Sequence, residues 1–222
     1  KCVYNYKEDS KKNLLDLIDS VGIARTEVFA GDYLDEPQIT IISPTRDFYE
    51  SLLPKFRNKL NFHWALEALE ENSYSSKDDI SDETTLSKTL DDATDDTSAH
   101  NQSSIVFLLY TDEKQKFLFT GDAGRDAFNH VPQTLLGKVK DVTWMKVPHH
   151  GSKHNLDSTI IKHVNPEIAY ISTEKQGKYL NRSTVFALKK NGTNAYSTSQ
   201  NRSTIRHGAI KTREGWTKIE PM

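Results

Sequence analysis

The chain has 222 residues, 29 basic and 31 acidic, with low mean hydropathy and one cysteine, Cys2. That length supports a single domain with a real core, a lone cysteine excludes an intrachain disulfide, and no uncharged apolar run approaches membrane-spanning length. The expectation is a soluble cytoplasmic protein. The chain opens on Lys1 without a signal-peptide pattern, as a fragment or a processed product would.

In chain order, Lys12 to Val21 places Leu14, Leu15, Leu17 and Ile18 on one side of a helix, and Gly22 is its natural stop. Gln38 to Ser43 is a β-branched apolar strand that Pro44 ends. A helix should open at Asp47, break at Pro54 and resume through Trp64, Leu66 and Leu69. The segment from Glu71 to His100 carries nine acidic residues against two lysines and almost no large apolar side chains, which predicts a flexible acidic insertion. Residues 1–70 and 101–222 then make up the domain proper. Outside the insertion 27 basic and 22 acidic residues remain, and from Lys146 onward the balance is 13 to 5. Such a surplus suits a phosphate-rich partner if the charges share a face; spread out, it is an ordinary solvated surface.

Beyond the insertion the pattern is β-rich. Ser104 to Tyr110 and Lys116 to Thr120 read as paired central strands across the turn Thr111 to Gln115, and Asp141 to Val147 and Glu167 to Thr173 as further strands. Between the last two lies a helix, Ser158 to Val164, closed by Asn165-Pro166. Ser183 or Thr184 can cap a helix through Lys190, and short strands over Asn194 to Thr198, Ser203 to Thr212 and Trp216 to Ile219 finish the chain. Strands alternating with helices predict an α/β fold with helices packed outside the sheets.

Two strand ends carry candidate chemistry. Thr120-Gly121-Asp122 presents a carboxylate at a sheet edge, although Gly-Asp after a strand is more often only a turn or helix cap. Pro148-His149-His150-Gly151-Ser152 presents adjacent imidazoles that point different ways, so one can bind a metal while the other meets a substrate oxyanion. Ser152 and Lys153 can donate to phosphate oxygens. A polar turn with two incidental histidines is the plainer alternative. His63, His130, His163 and His207 have no ligand spacing, and His100 reads as a linker residue.

The order DTSAHNQSSIVFLLY, KFLFTGDAG, DVTWMKVPHHGSKHN, AYIST resembles the second half of metallo-β-lactamase-fold hydrolases, in particular the soluble domain of bacterial competence DNA-uptake proteins and their free-standing relatives. QITIISPTRDFYESLLPKF resembles the segment that precedes that half. The most specific parts are Asn101-x-x-Ser104, the turn ending at Asp122 and the block His149 to Ser152. The resemblance implies a four-layer αββα sandwich with two divalent metal ions, zinc or manganese, between its sheets. It places Asp122 as the bridging carboxylate and one of His149 and His150, preferably His150, as a ligand. His149, Ser152, Lys153, Tyr179 and Arg182 then face substrate. The family's His-x-His-x-Asp-His cluster is absent from these 222 residues, and Tyr179-Leu180 stands where many relatives have His-Pro. A metal pair is therefore expected only if an upstream segment or a partner chain supplies the cluster. The expected activity is phosphodiesterase or nuclease action on nucleic acid. The alternatives are hydrolysis of a small ester or lactone, and a degenerate binding or scaffolding module.

Overall fold

The computed structural model describes residues 14–57, 83–173, 180–198, 204–206, 214 and 216–222. The protein is mixed α/β, with a seven-stranded mixed sheet flanked by helices. In chain order the sheet comprises β1 (Tyr33–Leu34), β2 (Ile39–Ser43), β3 (Val106–Tyr110), β4 (Lys116–Phe119), β5 (Trp144–Lys146), β6 (Ile168–Ile171) and β7 (Asn194–Ser197), and its spatial order is the same. Strands β1 to β4 pair antiparallel, with Phe107 opposite Phe119 across the β3–β4 hairpin. From β4 to β7 every pairing is parallel, which carries the ends of β4, β5 and β6 to one edge. A separate parallel pair joins β8 (Thr204–Arg206) to β9 (Trp216–Lys218).

Helix α1 (Leu14–Ser20) stops at Gly22, whose φ of 71° is the left-handed conformation a helix end favours. Leu17 and Val21 remain exposed. Helix α2 (Arg46–Arg57) begins where the Thr45 hydroxyl accepts from the Phe48 amide, and it runs through Pro54 rather than breaking there. The carbonyl that Pro54 cannot serve, that of Glu50, lies on an exposed turn where water can satisfy it. The expected resumption through Leu69 lies outside the described residues.

Of the acidic stretch expected to be flexible, residues 71–82 lie outside the described residues, and only residues 83–100 bear on that expectation. Residues 83–100 pack into the domain: α3 (Glu83–Asp91) puts Leu90 fully inside the core and lies against the later helix α8 (Arg182–Lys190). Helix α4 (Ala99–Gln102) follows, capped by the Ser98 side chain on the Asn101 amide at 3.3 Å. Polar bonds join Leu90 and Ala99 in holding this part of the segment. The buried guanidinium of Arg125, on α5 (Arg125–Asn129), donates to the carbonyls of Leu90 at 2.6 Å and Ala93 at 3.0 Å. It also reaches the carbonyls of Lys153 at 3.0 Å and Leu156 at 3.1 Å, and pairs with Asp95 at 3.1 Å. One side chain thus fastens the acidic arm to the loop after β5.

Short α6 (Gln133–Leu136) completes the β4–β5 connection, while α7 (Ser158–Val164) and α8 carry the next two parallel crossovers. Asp157 caps α7 on the Ile160 amide at 2.7 Å, and Asn165 ends it at φ 45°. For α8 the cap is Asn181, whose side chain accepts from the Ser183 amide at 2.9 Å. The expected caps, Ser183 and Thr184, are buried inside its first turn.

The two faces of the sheet differ in kind. Toward the helices point Val106, Leu108, Leu118, Met145, Ala169 and Ile171, all fully buried. On the other face a row of rings crosses the strands: Phe107 to Phe119 (4.8 Å between centroids), Phe119 to Trp144 (5.2 Å), Trp144 to Tyr170 (5.7 Å) and Tyr170 to Tyr196 (5.2 Å). Most of these rings are only half-buried. Burial, with Tyr196 alongside, pushes the Tyr170 hydroxyl up to about 12.

Candidate active site

In a parallel sheet the carboxyl ends of neighbouring strands open onto one crevice, and turns placed there meet. Here β4 runs out into Thr120-Gly121-Asp122 and β5 into Val147-Pro148-His149-His150. The turns are joined directly, because the His149 amide donates to the Gly121 carbonyl at 3.4 Å. Thr120 is fully buried and its hydroxyl donates to the Lys146 carbonyl at 2.7 Å, fastening the strands just below the edge.

Close packing sets the first turn. The Asp122 amide donates to the Ser104 hydroxyl at 3.1 Å, and a Cβ on Gly121 would lie 2.9 Å from Ser104 Cβ. Glycine is required at 121 on this count and because φ is 55°. The Asp122 carboxylate is 29% exposed and faces the Lys146 ammonium at 3.9 Å. That ammonium donates to the carbonyls of Gly121 at 2.6 Å and Val147 at 3.2 Å. Burial pushes Lys146 below the ordinary lysine range, with Asp122 acting against the shift.

The second turn is left-handed at consecutive residues, with φ 41° at His149, 59° at His150 and 85° at Gly151. A Cβ on Gly151 would press on Ile171 at 3.0 Å and Leu180 at 3.4 Å, so this turn lies flat on the end of β6. The histidines enter different surroundings. His150 is half-exposed and sets its Nδ1 against the Ser172 carbonyl. His149 points into a polar network: its Nδ1 is 3.2 Å from Asn155 Oδ1 and 3.6 Å from Asp96 Oδ2. Asp96 Oδ2 also receives Asn101 Nδ2 at 2.8 Å and Asn155 Nδ2 at 2.9 Å, and Oδ1 receives the Ser98 amide at 2.8 Å. Burial alone would push the Asp96 carboxyl up, but the His149 imidazole and these donors outweigh it and hold the group below its ordinary value. Burial likewise works to lower His149, and the neighbouring Asp96 charge overcomes it and raises the imidazole.

The sequence-derived residues distribute as follows. Asp122, His149 and His150 meet at the strand ends. Ser152 caps the end of the histidine turn, its hydroxyl accepting from the His154 amide at 3.2 Å. Lys153 is half-buried, with its carbonyl under Arg125. Arg182 is exposed on the first residue of α8, next to Asn181, whose amide donates to the Gly151 carbonyl at 3.3 Å. Tyr179 lies outside the described residues. Asp96, Asn155 and Lys146 also belong to the site, although no sequence motif marks them. Asp96 was concealed by the acidic composition around it, and its one local signal was the spacing of Asp96, Ser98 and Asn101 ahead of a helix. The paired motif residues Asn101 and Ser104 now have separate tasks: one holds Asp96, the other holds the Asp122 turn.

Among the described residues no group of three or more His, Cys, Asp or Glu side chains is placed to share a metal ion. A catalytic zinc takes about three protein ligands and a pair needs more, so Asp122 and His150 do not by themselves fit a metal site. No helix among these residues is long and apolar enough to cross a membrane.

Fold and site together define a mixed α/β protein with a polar edge at the ends of its parallel strands. Comparison with protein-family models, curated proteins and solved structures found no match for this chain.

Proposed function

We propose that the strand-end edge is the substrate-facing part of a hydrolase site for phosphate esters, with nucleic acid as the foremost substrate and a nuclease or phosphodiesterase as the activity. The observation that carries this reading is the junction of the Asp122 and His149-His150 turns at one edge of the sheet, with the Lys146 ammonium 3.9 Å from the Asp122 carboxylate. Ser152, Lys153 and Arg182, and His149 when its imidazole is protonated, supply donors for phosphate oxygens, the charge-assisted contacts that recognise such a group. A pair of divalent metals, zinc or manganese, belongs to this reading only with a ligand cluster supplied by an upstream segment or a partner chain. The finer architecture we propose is the metallo-β-lactamase-type sandwich. The half-buried aromatic row supports it, since a second sheet packed there would complete the burial.

One observation favours a second reading, a binding or scaffolding module without hydrolysis: the Lys146 ammonium already answers the Asp122 carboxylate. An assay of the full gene product on bis(p-nitrophenyl) phosphate, DNA and RNA oligonucleotides, and a lactone, with added zinc or manganese, separates the readings. Phosphate-ester cleavage that Asp122→Asn abolishes while oligonucleotide affinity survives is the expected result. Lactone turnover alone would favour the small-ester alternative, and binding without any turnover the module. Replacing Lys153 and Arg182 together should lower oligonucleotide affinity and flatten its salt dependence, each lost phosphate contact removing about 0.9 from the log–log slope on duplex DNA.

A further inference from the structure

The network around His149 constrains where that ring carries its proton. Asn155 Nδ2 lies 2.9 Å from Asp96 Oδ2 and 3.1 Å from the Asp122 carbonyl. Both are acceptors, so the amide must present its NH₂ to them; turned over, it would set oxygen against oxygen. Its Oδ1 is then the atom 3.2 Å from His149 Nδ1, and Asp96 Oδ2 faces the same nitrogen at 3.6 Å. Both of these neighbours accept, so Nδ1 is the nitrogen that carries hydrogen. Asp96 is itself fixed, since the Ser98 amide and Asn101 Nδ2 each bond its carboxylate at 2.8 Å.

We infer that Asp96, acting with Asn155, is a positioning residue for His149: it holds the imidazole in the Nδ1–H form, so that the ring acts on a substrate through Nε2. The inference rests on the phosphate-ester reading for the substrate, but the proton assignment stands on geometry alone. It also divides the adjacent histidines. His149 is tied through Asn155 to the Asp122 main chain, whereas His150 sets its Nδ1 against the β6 end.

Long-range 1H–15N correlation spectra of the full protein, recorded in alkaline solution where the ring is neutral and assigned with His149→Gln, test this directly. The wild type should show a protonated Nδ1 on His149. Asp96→Asn should give a mixture of tautomers and lower kcat on bis(p-nitrophenyl) phosphate by roughly 10–100-fold with little change in KM, as loss of an orienting partner does. A wild-type ring in the Nε2–H form overturns the inference, as does an Asp96→Asn protein with unchanged tautomer and unchanged kcat. Should Asp96→Asn fail to fold, the wild-type spectrum still decides. A protein with the Nδ1–H ring but no phosphodiesterase activity keeps the positioning network and loses the proposed function; cleavage by a protein with the Nε2–H ring does the reverse.

Discussion

The interior behind the sheet and the polar edge at the strand ends differ in how many groups share each task. Leu108, Leu118 and Met145 are fully buried among many apolar neighbours, each contributing area to a common core. At the edge a few side chains each serve several groups: Arg125 collects the carbonyls of Leu90, Ala93, Lys153 and Leu156, and Asp96, with Asn155, links the acidic arm to His149. A shared core loses stability in proportion to the volume removed. A polar edge loses a whole function when one member goes, because a buried donor or acceptor left alone costs its full desolvation.

Arg125→Ala should separate the two regions most, destabilising by roughly 4–5 kcal/mol because several buried carbonyls lose their donor together. Urea unfolding measures it, and a loss under about 1 kcal/mol would mean that water replaces the guanidinium freely. Leu118→Ala should cost about 2–5 kcal/mol through the cavity it leaves, whereas Phe107→Ala, on the half-buried aromatic face, should cost less. Equal losses would show that the aromatic face is as tightly enclosed as the other.

The edge should also respond to pH as the core does not. Asp96 titrates below its ordinary 3.8, so its contribution is present above that value and is lost as pH falls through the folded pKa. His149 titrates above its ordinary 6.5, so its contribution is full below that value and is lost as pH rises through the folded pKa. The pair therefore stabilises most between these limits, and Asp96→Asn should flatten both flanks of a melting-temperature profile. Unchanged flanks would show that other groups set the profile. The smallest effect belongs to Asp157→Ala, about 1 kcal/mol for a lost α7 cap, read from the same unfolding curves.

Much of the sheet was legible because its strands are dense in β-branched and aromatic residues, and because Gly121-Asp122 and Pro148-His149 punctuate two of their ends. Helix α7 matched from Ser158 to Val164, since its cap and its Asn165-Pro166 stop are local signals. What was illegible depended on distant partners. Pro54 is tolerated because an exposed turn relieves it, and Asn181 displaces Ser183 as the α8 cap because Ser183 is drawn into the interior. Asp96 is 53 positions from His149, and nothing in its acidic surroundings marks it out from its neighbours.

The left-handed pair at 149 and 150 bears on which sequences this turn would accept. For an ordinary side chain each such residue costs about 1–2 kcal/mol of backbone energy, and glycine or asparagine would relieve it. A library randomised at these positions and screened for folding alone should therefore drift toward Gly and Asn. The same library screened for turnover should return histidine, and the contrast between the two enrichments would measure what the imidazoles add beyond the bend they occupy.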